Sequence, residues 1–512
     1  MPTPDPPADP VPPDRLNILF VTLDQLRADV VAGRLAGIAA TPTLDRLARE
    51  GVRFDQCFTA TVPCGPSRAS LLTGLYAFNH RAIRNGTPLA RHHATVATEW
   101  RKLGREPLLF GYNDVTADPS GRDQNDPDFA SYEMPAAGFR ELLEMRFEAP
   151  LAWIGHLRSK GYDLPGPLPD RWFDLYRPVA PPGRAARPDD PLMMRAEDSE
   201  TAFLTDRVIE GLEARRDTVW TAHVTYIRPH PPLSAPDPWN RHLAPGDVPP
   251  PVPAIGPDHP FRRAWFSAPS QHGLWHGFAG ECTGLDAATT QTLRAVYLGL
   301  VAEVDFHLGR LLSWLDRAGL ADRTAVIVMA DHGEMLGDQG YWGKDNVAAA
   351  AHHVPLLIRM PGARAGAVCD APVSSVDIAP TLIAMAGGVP QPAMDGASLL
   401  PLLRGDTPAD WRDAVLSEID LSEPHTPTRF QTALGLSEHR ANAAVLRDLD
   451  WTLVHVNGGV PPMLFDRRTD PDETRNLADD PAHAPRVATM RARMLDLRMT
   501  RADRRLTGWH IG

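Results

Sequence analysis

The sequence predicts an α/β protein: a large, mostly parallel sheet flanked by helices, with a smaller antiparallel α+β subdomain at the C-terminal end. Three observations carry this prediction. The apolar runs Asn17–Leu23, 108–112, 219–227 and 324–330 are continuous rather than alternating, which marks strands buried on both faces. Segments of helical character lie between such runs, as in chains that build parallel sheets. Beyond Gly405 the pattern changes to short strands at 414–419, 443–446, Trp451–Val456 and 462–465, followed by an Arg-rich helix from about Pro485. At 512 residues the chain exceeds the ~250–300 residues that one core usually serves. The reading is therefore a disordered tail over 1–15, a large α/β domain over 16–405 and a C-terminal subdomain with a terminal helix and arm over 406–512.

Taken in order, the proline-rich tail leads into Asn17–Leu23, which ends in Asp24-Gln25. Thr41 as N-cap, Pro42 at the first helical position and Gly51 after the last turn frame a short helix. Pro66 and Gly74 frame another, with Cys64 just ahead of its first turn. The 108–112 strand ends near Asn113-Asp114. Residues 117–200, with Trp153, Trp172 and several Pro/Gly turns, read as an insertion over the site. The 219–227 strand runs into Arg228-Pro229-His230-Pro231-Pro232. Leu293, Val296, Leu300, Val304, Leu308, Leu311 and Leu315 fall at helical spacing and predict one long helix over 285–319. The 324–330 strand ends in Asp331-His332-Gly333, and 354–359 is a further strand.

Composition narrows the function. Hydrophobic content of 43% and charged content of 23% are those of an ordinary globular protein. The net charge of −12 speaks against a nucleic-acid partner, which needs a basic footprint, while a local cationic pocket still permits an anionic substrate. Cys57, Cys64, Cys282 and Cys369 show no disulfide or zinc spacing, which suits a reducing compartment. No apolar run approaches the ~20 residues of a membrane span, and no signal peptide is visible, so a cytoplasmic location is expected, with no membrane partner.

The chemistry concentrates at Cys64-Gly65-Pro66-Ser67-Arg68. A helix N-terminus favours negative charge, and the planar fork of Arg68 is suited to join it in an anion site. Asp24 and Asp331 fall at the C-terminal ends of parallel strands, the edge where open α/β sheets bind ligands. A lone strand-end Asp more often caps a helix, but two such ends with the adjacent His332 point to a divalent metal.

The Cys-x-Pro-Ser-Arg pattern resembles the signature of the sulfatase family, within the alkaline-phosphatase-like hydrolases. The run from Val62 to Tyr76, continuing to Asn79-His80-Arg81 and Asn85, is most similar to its phosphonate monoester hydrolase branch. Leu464-Phe465-Asp466-Arg467 and Asp472-Glu473-Thr474-Arg475-Asn476-Leu477 resemble the family's late motif. The resemblance implies that Cys64 is oxidised to formylglycine by a formylglycine-generating enzyme. It also implies one divalent ion (Mn²⁺, Ca²⁺, Zn²⁺ or Fe²⁺) on Asp24, Asp331, His332 and the modified Cys64, with Gln25 at its edge where many arylsulfatases carry Asp. By the same resemblance His230 and Lys344 serve the leaving group, and Asn85 and Tyr112 hold the substrate oxyanion or its surroundings. Asp114 departs from the pattern, which has a hydroxyl residue there. If it points inward it repels dianions more than monoanions. The expected substrates are then small monoanionic sulfate, phosphonate or phosphodiester esters. The alternatives are a phosphatase- or phosphomutase-like enzyme with an unmodified nucleophile, and a non-catalytic binding protein. The Arg-rich last helix and its tail to Gly512 resemble C-terminal arms that pack between subunits in related enzymes, a resemblance that implies a homodimer or homotetramer.

Overall fold

The computed structural model describes residues 11–503 and 507, apart from 167, 169–170, 257 and 270–272. Its main sheet has eight strands in the order Ala367–Cys369, Val52–Phe54, Leu356–Arg359, Thr324–Met329, Asn17–Leu23, Thr221–Tyr226, Pro107–Gly111 and Arg140–Glu144. All seven residues of Asn17–Leu23 are buried, because this strand is central and covered on both faces. Full burial of each large aliphatic side chain there contributes about 1.5–3 kcal/mol. Leu356–Arg359 runs antiparallel to both its neighbours, and the remaining pairings are parallel.

Helices gather in two groups. Ala287–Arg317 contacts Pro42–Glu50 and Glu200–Glu213, while Cys64–Thr73 contacts Val96–Lys102 and Ile378–Met385. The long helix buries its predicted stripe from Leu293 to Leu315. A second sheet pairs Met463–Asp466, Trp451–Val456, Asn442–Asp448 and Ala414–Asp420 antiparallel, and helix Ala484–Arg501 lies against it.

Four expectations change. The tail falls outside the described residues up to position 10, and Pro13–Arg15 forms a 3-10 turn rather than disordered chain. The 117–200 segment is more than an insertion, because Arg140–Glu144 extends the main sheet. Thr41 makes no side-chain cap, and Asp305 of the long helix instead accepts from the Thr43 and Leu44 amides at 3.0 and 2.8 Å. The C-terminal sheet also takes its fifth strand, Thr61–Val62, from the residues just ahead of Cys64, parallel to Glu418 and Ile419. Of the expected arm, 504–506 and 508–512 lie outside the described residues.

Candidate active site

Strand register builds the site. Thr22 pairs with Met329, so Asp24 and Asp331, each two residues further on, leave the sheet side by side. On the other flank Leu23 pairs with Tyr226, and the chain continues to Arg228 and His230. Helix Cys64–Thr73 starts at Cys64 itself and ends at left-handed Gly74. A Cβ at Gly65 would lie 3.0 Å from Asn85 Oδ1 and 3.1 Å from the Asp114 carbonyl, so the glycine lets both segments close on the helix start.

Asp24, Cys64, Asp331 and His332 are buried, and one ligand atom from each lies within 4.8 Å of the others. His332 Nε2 is 3.8 Å from Asp24 Oδ1, 3.7 Å from Asp331 Oδ2 and 3.2 Å from Cys64 Sγ. His332 Nδ1 lies 3.0 Å from the Gly333 carbonyl, an acceptor only, which places the proton on Nδ1 and the lone pair on Nε2. Asp24 Oδ1 is buried without a hydrogen-bond partner. Two carboxylates, an imidazole with a free lone pair and one orphaned oxygen fit a divalent cation of the Mn²⁺, Fe²⁺ or Zn²⁺ type and tolerate Ca²⁺.

Arg68, expected to grip substrate, spends its donors on the protein. Nη2 donates to Asp24 Oδ2 at 2.7 Å and the Tyr112 hydroxyl at 3.0 Å, Nε to Asp331 Oδ2 at 3.0 Å, and Nη1 to the Tyr112 carbonyl at 3.1 Å. The Tyr112 hydroxyl itself donates to Asp24 Oδ2 at 2.6 Å. Arg68 and Tyr112 therefore brace the two carboxylates. Burial works to raise the Asp24 carboxyl, and the Arg68 and Lys344 charges overcome it, leaving Asp24 below its usual range. Asn85 Oδ1 accepts from the Gly65 amide at 2.9 Å, so it occupies one of the helix-start donors expected to face an anion.

Lys344 and His230 complete the cluster. Lys344 Nζ donates to Cys64 Sγ at 2.9 Å, Gln25 Oε1 at 3.1 Å and His230 Nε2 at 2.8 Å. His230 Nδ1 faces the Pro231 carbonyl, so its proton sits there, and burial and Lys344 push the ring well below the usual histidine value. Burial opposes the Lys344 charge, but the surrounding Cys64, Asp24 and Asp331 hold its ammonium above the ordinary range. Asp114 points inward, with Oδ2 3.7 Å from Arg68 Nε and Oδ1 unpartnered, and burial lifts its carboxyl to about 7.

The family model for Sulfatase matches residues 16–389. The chain belongs to the sulfatase family. A second model, described as N-sulphoglucosamine sulphohydrolase, C-terminal, matches 337–500. Among relatives, this sulfatase is 35% identical to the Multifunctional alkaline phosphatase superfamily protein PehA of Trinickia caryophylli, over 96% of this chain and 97% of that protein. Its fold is similar to the phosphonate monoester hydrolase SpPMH from Silicibacter pomeroyi, at 45% identity, TM-score 0.90 and 96% of both chains. The phosphonate monoester hydrolase of Agrobacterium radiobacter is 35% identical, with TM-score 0.89 and 96% and 97% covered. The sulfatase described here is thus a hydrolase acting on ester bonds, within the alkaline phosphatase superfamily.

Two neighbours of this sulfatase site escaped the sequence reading. Glu334 is buried beside Gln25, and its only signal was adjacency to Asp331-His332-Gly333. Phe147, from the segment read as an insertion, sets its ring edge-on to His230 with centroids 5.2 Å apart, and no local pattern marks it.

Proposed function

We propose that this sulfatase hydrolyses monoanionic sulfate and phosphonate or phosphodiester esters, using a formylglycine made from Cys64 and one divalent ion held by Asp24, Asp331, His332 and residue 64. The observation that carries the reading is the convergence of those four side chains, with Lys344 donating both to the Cys64 sulfur and to His230 Nε2. The names of the relatives, phosphonate monoester hydrolase and multifunctional, support activity on more than one ester class. Among the described residues no two cysteines form a disulfide, in keeping with a reducing, cytoplasmic setting, and no helix there is long and apolar enough to cross a membrane.

A hydrated formylglycine supplies two hydroxyls on one carbon, one to attack sulfur or phosphorus and one whose deprotonation re-forms the aldehyde and releases the acid. A divalent ion supplies Lewis acidity and offsets charge on the ester oxygens. The chain does the rest. Arg68 and Tyr112 fix the Asp24 and Asp331 carboxylates. Lys344 sets its ammonium on the leaving-group side, where it offsets the negative charge that develops on the departing oxygen. His230 Nε2 accepts a hydrogen bond from Lys344 Nζ and holds it in place. A positioned donor of this kind contributes about 10²–10³-fold.

Mass analysis of the Cys64 peptide, from protein produced together with a formylglycine-generating enzyme, is expected to show aldehyde in place of thiol. The matured protein is expected to turn over both an aryl sulfate and a phenyl phosphonate ester, and to lose that activity on metal removal. An unmodified, fully active Cys64 would overturn the reading.

A further inference from the structure

The Gln25 carboxamide can face the ligand cluster with its oxygen or with its NH₂ group, and these are opposite choices for a cation. Its neighbour Glu334 decides between them. An ionised carboxylate accepts hydrogen bonds and donates none. Glu334 Oε2 receives Gln25 Nε2, which turns Gln25 Oε1 the other way, to within 3.1 Å of Lys344 Nζ. Glu334 Oε1 accepts from the Leu336 and Gly343 amides at 2.8 and 2.6 Å, so the carboxylate is itself fixed, in the same loop that presents Lys344. The Gln25 backbone is held as well: its amide donates to Asp331 Oδ1 at 3.1 Å, and its carbonyl accepts from the Tyr297 hydroxyl at 2.9 Å. Gln25 and Glu334 are each 1% exposed, so water cannot substitute for either partner.

From this geometry we infer that Glu334 is a positioning residue, which orients the Gln25 amide so that its oxygen joins the acceptors around the divalent ion and Lys344. The inference rests on the metal-dependent reading above. With Glu334→Gln, a carboxamide NH₂ meets the Gln25 NH₂, and the Gln25 amide turns over to present donors to a cation and an ammonium. Outer partners of metal ligands typically change affinity about 10–100-fold.

The test is a double-mutant cycle on the full chain with Mn²⁺ as probe. It reads the dissociation constant by chelator competition, with the thermal unfolding midpoint as a control and kcat and KM measured separately. Glu334→Gln and Gln25→Met are each expected to weaken Mn²⁺ binding about 10–100-fold, with kcat falling more than KM rises. The double variant is expected to be no weaker than the worse single one, because both changes act through one amide. Mn²⁺ affinity unchanged in Gln25→Met would overturn the inference, even if Glu334→Gln failed to fold. Additive losses would overturn it too, by showing that Glu334 acts on the loop and not through Gln25. A wild-type protein that binds no divalent ion would bring down the metal-dependent reading together with this inference, whereas the outcomes above leave that reading standing.

Discussion

At the scale of a single side chain, Asp114 is expected to act as a charge filter. Its carboxyl stands near Arg68 with one oxygen unpartnered, and burial raises it to about 7. The sign follows directly. Below pH 7 the group is mostly neutral and ignores substrate charge, and above pH 7 it adds a negative charge that disfavours a dianion more than a monoanion. The preference of kcat/KM for an aryl sulfate over a phenyl phosphate dianion is therefore expected to grow as pH rises through 7. Asp114→Asn should flatten that trend and raise relative phosphate turnover about tenfold at pH 8, a factor worth ~1.4 kcal/mol, well within a Coulomb interaction across a few ångströms. Unchanged pH dependence of the ratio would show that Asp114 does not sense the substrate.

Among the elements, helix Pro42–Glu50 shows how a local signal can be right about an element and wrong about its cause. Thr41 and Pro42 marked its start correctly, yet the capping oxygens come from Asp305 on the long helix. Burial raises the Asp305 carboxyl to about 6, against the two amides that favour its charge. A folded-state value above the unfolded one means that the folded protein holds more protons between about pH 4 and 6. This contribution to stability is complete below the unfolded value and is lost as pH rises towards 6. Asp305→Asn keeps one acceptor oxygen and cannot ionise, so the unfolding midpoint followed from pH 4 to 6 is expected to vary less than in the wild type. An identical slope in the two proteins would refute the assignment.

At the scale of the whole molecule, the C-terminal sheet and the catalytic sheet are tied together at the site. Thr61–Val62, just ahead of Cys64, is a strand of the C-terminal sheet, and the Glu418 amide donates to the Ala60 carbonyl at 2.8 Å. Glu473, in the late motif, is 3% exposed and accepts from Thr452 Oγ1 at 2.6 Å, from Arg447 Nε at 3.2 Å and from the Ala349 amide at 2.8 Å. It thereby joins the second sheet to the loop that follows Lys344. Glu473→Ala would leave the fully buried Arg447 charge unpaired. It is expected to cost about 3–5 kcal/mol in chemical denaturation and to reduce turnover with it. A loss under 1 kcal/mol would show that the two parts are held together by other contacts.

The sequence by itself determined the buried parallel strands, the carboxylates at their ends, the Cys64 helix and the long core helix. Each of these is written in local spacing: continuous apolar runs, one apolar stripe, or a proline and a glycine at the two ends of a helix. Tertiary structure alone decided that Arg68 braces two carboxylates, that Asn85 closes on Gly65, which way the Gln25 amide turns, and that Thr61–Val62 joins a sheet built more than 350 residues later. Those outcomes depend on which donor meets which acceptor between distant parts of the chain. Such pairings leave no periodic trace in the sequence, because only closure of the fold brings the partners within hydrogen-bonding reach.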